Sequence, residues 1–270
     1  MTVIIKNAQV KNAHIGPAIP TNGLMSYWNA ASTTSYPRSG TIWYDIVGNN
    51  NGSMINMTSG NFSEDVQGSF VFDGTDEYIS VPTDESLNAG TGTFSMTAWI
   101  KPDTSSMSAG SAYIVANKRG IAPEGSGAGW SLSVTKNGIS SQWGFFRVGV
   151  DDGSGNGPTS NGSTNHADST WHHIAVSYNA RRSQFANSII FQTYVNSVSD
   201  LSYFVPSGIG SISNNVPLEI GATAYITGIP AGSVSDAFPG SISTVKFYKR
   251  DLSAGEVKQD YLASKSRFGL

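Results

Sequence analysis

Several segments of the chain alternate between apolar and polar residues with a period of two. One face of the segment 94–100 is apolar and consists of Phe94, Met96, Ala98 and Ile100. The segment 171–178 alternates in the same way, with Ile174, Val176 and Tyr178 on one face. Shorter runs recur at 69–72, 130–134, 145–148, 189–195 and 245–248. The pattern predicts an all-β fold in which each strand buries one face.

Turn signals separate these runs. Asn137-Gly138 lies between two of them and predicts a hairpin, because both residues tolerate positive φ. The stretch 151–168 is polar and glycine-rich, which predicts a surface loop. The sequence has no internal repeat and no heptads, so a fibre shaft is not indicated.

One helix is predicted near the C-terminus. Ser253 and Glu256 have the spacing of a capping box. Leu252 and Val257 occupy the two positions of a hydrophobic staple, and an apolar stripe continues through Tyr261 and Leu262. This helix is expected to lie against the sandwich.

Residues 1–20 differ from the rest of the chain. The segment 2–10 has the pattern of one short strand, and Gly16, Pro17 and Pro20 interrupt regular structure. We predict an N-terminal arm over 1–20 and a single sandwich domain over 21–270. The apolar residues of the arm, through which it would attach, are Val3, Ile4, Ile5 and Val10. The arm either packs on a partner chain or adds an edge strand to its own domain.

The amino-acid composition limits the classes of partner that the chain is expected to bind. The 270 residues are 39% hydrophobic and 13% charged, with a net charge of −3 and no cysteine. Without a basic stripe, neither nucleic acid nor an anionic membrane surface is an expected partner. The apolar run Val3–Ile5 is too short for a signal peptide, so synthesis in a host cytoplasm is expected.

Four blocks resemble hallmark segments of laminin-G-like, concanavalin A-like domains and follow one another in that family's order. They are 72–79, 94–102, 171–178 and 238–253. The resemblance runs from about Gly23 to the end of the chain. It implies a jelly-roll sandwich of two antiparallel sheets, a fold that hosts many functions.

Two further stretches, 35–45 and 261–270, resemble versions of this domain in tailed-bacteriophage structural proteins. That resemblance implies a virion component exposed on the particle surface. The expected partners are other virion proteins, either the major capsid protein or neighbouring copies in a homo-oligomer.

Catalysis is not predicted. Some relatives of this fold are glucanases, and retaining glycoside hydrolysis needs two carboxylates about 5 Å apart. The glutamates are scattered, and Glu219 is expected to point into solvent. His172 and His173 are neighbours on a strand and face opposite ways, so one is expected to be buried and the other exposed.

Calcium is the expected cofactor if there is one, because acidic turns offer hard oxygen ligands. The first pair of candidates is Asp73 and Asp76, after a strand. The family's second acid is missing here, since Ser243 follows the segment 240–242, and Asp73 could instead cap its own turn. The second pair is Asp152 and Asn156, for which a Gly/Ser surface loop is the alternative.

Sugar binding would use exposed aromatic rings. The candidates for stacking are Trp43, Tyr44, Trp130 and Trp143, and the alternative is that the tryptophans among them belong to the core. Trp99 and Trp171 lie in the family's core blocks.

The sequence therefore predicts a non-catalytic phage virion protein that decorates or cements the capsid surface. The alternative is a carbohydrate- or receptor-binding module of a tail or head fibre, which would bind host surface glycans. A glycanase with unrecognised acids is the third hypothesis.

Overall fold

The computed structural model describes residues 17–108, 111–119, 127–136, 143–154, 157, 159–162, 168–180, 189–204, 209–224 and 234–270. Within these residues the chain forms sixteen strands and one α-helix. They are β1 (Leu24–Asn29), β2 (Ile42–Trp43), β3 (Gly52–Ile55), β4 (Phe62–Ser63), β5 (Ser69–Asp73), β6 (Tyr78–Val81), β7 (Thr93–Pro102), β8 (Ser111–Arg119), β9 (Gly129–Lys136), β10 (Trp143–Asp151), β11 (Thr159–Asn161), β12 (His172–Asn179), β13 (Ile189–Val195), β14 (Val198–Phe204), β15 (Leu218–Ile220), β16 (Pro239–Tyr248) and α1 (Ala254–Leu262).

The strands form two sheets, each of eight strands in the described part of the chain. Sheet A has the order β14-β13-β12-β7-β16-β5-β4, and β1 also pairs with β16. Sheet B has the order β11-β10-β9-β8-β15-β6-β3-β2. Every strand pair in the two sheets is antiparallel, which confirms the predicted jelly-roll sandwich.

Aromatic rings from both sheets meet in the core. Phe94 on β7 and Phe247 on β16 come from sheet A, and Trp130 on β9 comes from sheet B. The Trp130 ring stacks on Phe94 with 5.2 Å between ring centroids and lies 5.9 Å from the ring of Phe247. All three side chains are buried. Because each ring sits in phase with its strand's apolar face, the alternation seen in the sequence becomes the contact between the sheets.

The predicted capping box is confirmed. The Ser253 hydroxyl accepts a hydrogen bond from the Glu256 backbone N–H, and a Glu256 carboxylate oxygen accepts from the Ser253 N–H at 2.9 Å. Arg250 pairs with the same carboxylate. The Arg250 hydrogen bond is the main cause that lowers the pKa of Glu256 to about 2. Leu252 and Val257 are buried in one cluster, as the predicted staple requires.

The helix lies on the outer face of sheet A and buries a charged network there. Asp260 of α1 is fully buried and accepts hydrogen bonds from Thr97 at 2.7 Å and from His173 Nε2 at 3.1 Å. The ammonium of Lys246 lies 2.9 Å from the other Asp260 oxygen. Desolvation opposes ionisation of Asp260, but the Lys246 charge and the His173 hydrogen bond hold the pKa of its carboxyl below the usual range.

The chain's last residues close the same face of sheet A. Phe268 stacks on Trp99 with 3.8 Å between ring centroids, and it also contacts Trp171. Trp99 and Trp171 are buried, as expected of family core residues. They lie under the tail, however, because their positions on β7 and before β12 put them out of phase with the inward-facing residues of these segments.

The N-terminal arm falls largely outside the described residues, and this includes Val3, Ile4, Ile5 and Val10. Its described end, 17–20, has no regular secondary structure. There the Ala18 carbonyl accepts from the Gln259 side chain, and the Pro20 carbonyl accepts from the Tyr248 hydroxyl. The boundary at residue 20 stays a prediction. No described helix has the length and apolar character that crossing a membrane requires.

The expectation that one of the paired histidines is exposed was wrong. His172 and His173 face opposite ways, but both are buried. His172 bonds Asp168 at 2.8 Å, whereas His173 is covered by α1. Burial holds the pKa of the His173 imidazole below its usual range, although the Asp260 carboxylate opposes that shift. The buried Nδ1 atom of His173 has no hydrogen-bond partner among the described residues, so protonation would create a buried donor without an acceptor there.

We predict that the protein loses stability as the pH falls below about 6.5, the usual histidine pKa. Below that pH the unfolded chain binds a proton at His173, whereas the folded chain does not, because its His173 pKa is lower. His173→Gln, which keeps a donor toward Asp260, should reduce the drop in thermal midpoint between pH 7.5 and pH 5. His172→Gln is the matched control and should keep the drop. An unchanged pH dependence in His173→Gln would contradict this account.

Candidate functional site

The outer face of sheet B carries a continuous row of small and polar residues. Strand register aligns them across seven strands in the order Ser53, Ser80, Glu219, Asn117, Ser131, Gly149 and Thr159. On β9, Ser131 and Ser133 face outward, while their neighbours Trp130 and Leu132 are buried between the sheets. The row has accessible hydroxyl groups toward its two ends, whereas Glu219 and Asn117 in its middle are each only 3% exposed.

A shallow concavity of about 150 Å³ lies where this row crosses β8, β9 and β10. Its walls include Asn117, Ser131, Ser133, Thr159 and Thr223, together with three charged residues, Arg119, Arg147 and Asp236. Arg119 and Arg147 stand on β8 and β10, which flank β9 in sheet B, so the sheet's register fixes them. Asp236 comes from the segment that follows β15 and is held by the hydrogen bond from the Ile114 N–H to its own carbonyl, at 2.8 Å.

The charges of the concavity balance. Arg119 forms an ion pair with Asp151 at 2.7 Å, and its Nε–H donates to the Gly127 carbonyl. Arg147 and Asp236 line the same concavity. Loss of hydration raises the pKa of the Asp236 carboxyl, and the Ser235 hydrogen bond and the Arg147 charge partly offset that effect. Arg119, Arg147 and Asp236 thus give the concavity both charged donors and a charged acceptor, and Asp151 offsets the second positive charge from below the surface.

The prediction that Glu219 points into solvent was wrong. Glu219 is only 3% exposed, and its carboxylate accepts a hydrogen bond from the Ala224 N–H at 2.5 Å. The segment after β15 folds back over the carboxylate, which a strand pattern cannot reveal. Glu219 lies on β15 and Asp151 on β10, so their strands are about 14 Å apart at the usual strand spacing. Each carboxylate is engaged separately, Glu219 by the Ala224 N–H and Asp151 by Arg119.

The prediction of sugar stacking is wrong for two of its four residues. Trp43 is fully buried against Phe70, and Trp130 is 2% exposed in the inter-sheet contact. Neither ring can reach a ligand. The signal was present in the sequence, since Trp130 alternates in phase with the apolar residues Leu132 and Val134.

The other two stacking candidates stay predictions. Tyr44 is 42% exposed, but it follows β2 at the opposite edge of sheet B from the concavity. The side chain of Trp143, on β10, lies outside the described residues.

The calcium candidates are dispersed. The Asp73 carboxylate accepts from the Thr75 N–H at 2.7 Å, which is the turn cap weighed as its alternative role, and the Asp76 carbonyl accepts from Asn56. Asp152 accepts from the N–H groups of Ser154 and Gly210. Asn156 lies outside the described residues. In the part of the chain that is described, no three acidic or histidine side chains converge as metal ligands would. Calcium binding stays a prediction.

A second, polar depression of about 330 Å³ lies on the outer face of sheet A beside the start of α1. Ser177, Gln192 and Asp251 contribute to its walls. Gln192 is already bonded to Ser199, to Ser202 and to the Leu201 carbonyl, and Asp251 accepts from Asn179. Gln192 and Asp251 are therefore already hydrogen-bonded within the protein.

The model of the laminin-G-like family Laminin_G_3, described as the concanavalin A-like lectin/glucanases superfamily, matches residues 73–258. That match covers more than half of the chain. The chain belongs to the concanavalin A-like lectin/glucanases superfamily. No curated protein matches its sequence.

Solved structures of this superfamily fold resemble the chain at low identity. The binding domain of Paraclostridial Mosquitocidal Protein 1 has a TM-score of 0.59 and 15% identity, covering 88% of this chain and 52% of that one. Trypanosoma rangeli sialidase in complex with sialic acid has a TM-score of 0.58 and 16% identity, covering 93% and 35%. The chain thus spans about half and about a third of these two proteins.

Domain 4 of AbnA, a GH43 extracellular arabinanase from Geobacillus stearothermophilus solved with arabinotriose, is similar over its whole length. It has a TM-score of 0.56 and 14% identity, covering 90% of this chain and 100% of that one. At such identities the likeness shows the fold alone. The fold is one that serves binding domains, and what this chain binds must be inferred from its own surface.

Proposed function

We propose that the chain is a non-catalytic glycan-binding module and that it holds a neutral saccharide in the concavity of sheet B. The observation that carries the proposal is the Arg119–Asp151 ion pair beside two further charged residues of the concavity, Arg147 and Asp236, and the hydroxyl groups of Ser131 and Thr159. Guanidinium groups only donate hydrogen bonds and carboxylates only accept them, whereas sugar hydroxyls do both.

The size and rigidity of the concavity support a saccharide. At about 150 Å³ it is smaller than the usual pocket for a drug-sized ligand and suits one sugar unit at a time. Its residues stand mainly on paired strands, which hold side chains more accurately than loops do. Lectin-like folds among the similar structures, including an arabinanase domain solved with a trisaccharide, are consistent with this role.

The same geometry supports a non-catalytic role. Glu219 is buried and bonded to backbone, and Asp151 is bound to Arg119. A glycosidase acid must instead face a second carboxylate across the scissile bond. The strands that carry these two residues are about 14 Å apart, and each carboxylate is held by a different partner, which does not favour such a pairing.

We predict that Arg147→Ala and Asp236→Ala each weaken binding of an oligosaccharide identified on a glycan array by about 10-fold to 100-fold. Losing one charged hydrogen-bond partner costs about 1–3 kcal/mol. Gln192→Ala, in the depression on sheet A, is the matched control and should bind normally. Affinity is measured by calorimetry. Binding that survives both sheet B changes, but fails in Gln192→Ala, would place the site on the wrong sheet.

We also propose that this module decorates the surface of a tailed-phage particle. The support is the resemblance of 35–45 and 261–270 to segments of phage structural proteins. Both segments make contacts within the sandwich domain. Ser35 donates to the Tyr44 carbonyl, Asp45 accepts from the Tyr27 N–H on β1, and Phe268 covers Trp99. Attachment to the particle is therefore assigned to the arm, through Val3, Ile4, Ile5 and Val10.

We predict that deleting residues 2–16 abolishes association with particles and leaves the sandwich folded, because the described strands and helix lie outside that segment. Particle occupancy is measured by co-sedimentation, and folding is followed by thermal unfolding. A folded truncated chain that still occupies particles fully would refute attachment through the arm.

A further inference from the structure

One arginine of the C-terminal tail is held without an anion from the described part of the chain. Among the residues that the structure describes, Arg119 and Arg250 each form an ion pair with a carboxylate, whereas Arg147 and the exposed Arg38 form none. Arg267 has no carboxylate of those residues within ion-pair distance. Its guanidinium donates to two neutral oxygens, those of the Asn29 side chain and the Ser243 hydroxyl.

The hydrogen-bonding capacity of Arg267 is not used up by these contacts. A guanidinium has five N–H donors. The Nε–H of Arg267 is buried and has no acceptor among the described residues. Neutral acceptors do not offset the cost of removing a cation from water. Desolvation accordingly lowers the pKa of Arg267 to about 10, and Tyr27 acts weakly in the other direction.

Arg267 lines a cavity of about 510 Å³ between β1 and the tail, which is larger than the concavity of sheet B and the depression beside α1. The other walls include Ile19, Tyr27, Asn29, Gln67, Ser264 and Ser266. All of these but Ile19 carry polar side chains, and none carries a carboxylate. The nearby Lys246 ammonium lies over the Tyr27 ring and is neutralised by Asp260, so the carboxylate of that pair is already engaged.

We propose that this cavity, which we call the tail cavity, binds a compact oxyanion, a carboxylate or phosphate group, through Arg267. The forked guanidinium matches the geometry of both groups. The serine hydroxyls of Ser264 and Ser266 and the Asn29 amide complete the polar wall. The proposal concerns the sheet A side of the molecule and is independent of the saccharide site on sheet B.

The structure supplies a reporter for the test. The Trp99 indole N–H donates to the Ser264 hydroxyl at 2.8 Å, and Ser264 lines the tail cavity. An anion that engages this wall should shift the Trp99 indole N–H resonance. Sodium acetate and sodium phosphate are titrated separately into the full chain, with sodium chloride keeping the ionic strength constant. Thermal midpoints are recorded on the same samples, since a ligand of the folded state raises them.

We expect a saturable shift of the Trp99 resonance with at least one of the two anions. Arg267→Lys, which keeps the charge but loses the fork, should weaken binding about tenfold or more. Arg147→Lys, on sheet B, is the matched control and should leave the titration unchanged. A shift that does not saturate with either anion, or that is identical in Arg267→Lys, overturns the proposal.

Gln67→Glu provides a second test if Arg267→Lys does not fold. Gln67 is exposed and lines the tail cavity, so the change installs a carboxylate with almost no change in shape. The built-in anion should raise the thermal midpoint in the absence of added anions and reduce the Trp99 titration. A midpoint equal to that of the unmodified chain, with an unchanged titration, would overturn the proposal.

Discussion

The packing of two sheets through interlocked aromatic rings is the contact on which the rest of the structure depends. Phe94, Trp130 and Phe247 cross the boundary between the sheets, and a second group of rings around Phe70 does the same near the start of the domain. The chain has no cysteine, so disulfides cannot share this task. Burial of these rings also decides which side chains are left for the two outer faces.

The outer faces of the two sheets differ in what lies on them. Part of sheet A is covered by α1 and by the tail, which bury Asp260 and Phe268 against it, while the depression beside α1 and the tail cavity stay accessible. The concavity of sheet B is smaller but combines three charged residues with serine and threonine hydroxyl groups. That combination is why we propose saccharide binding on sheet B. The separate engagement of Glu219 and Asp151 is why we propose no catalysis there.

Local patterns predicted a large part of the fold. The capping box at Ser253 and the alternation at 94–100 depend on neighbours in sequence, and the structure has both. The burial of Trp130 could also be predicted, because Trp130 is in phase with the apolar residue Leu132. The burial of Glu219 and of His173 could not be predicted, since each lies on an outer face of its sheet and is covered by a segment outside its own strand. Pattern reasoning identifies which face a residue occupies, but not what later folds over that face.

The candidate site shows the same limit more strongly. Arg119, Arg147 and Asp236 are far apart in sequence, and only the register of β8, β9 and β10 brings the first two together. Trp43 and Trp130, which were predicted to stack on sugars, lie in the core instead, because burying a large apolar ring is more favourable than leaving it in water. The lack of a carboxylate partner for Arg267 likewise becomes visible only in three dimensions, where neutral groups surround its guanidinium.

The most direct test of the account is the free energy of unfolding of Trp130→Ala, measured with denaturant alongside saccharide binding. If Trp130 joins the two sheets, the variant loses about 3–5 kcal/mol of stability. The exposed-residue change Val198→Ala should lose almost none, since that side chain is 69% exposed. A Trp130→Ala protein of normal stability that no longer binds saccharide would make Trp130 a surface platform and contradict the account.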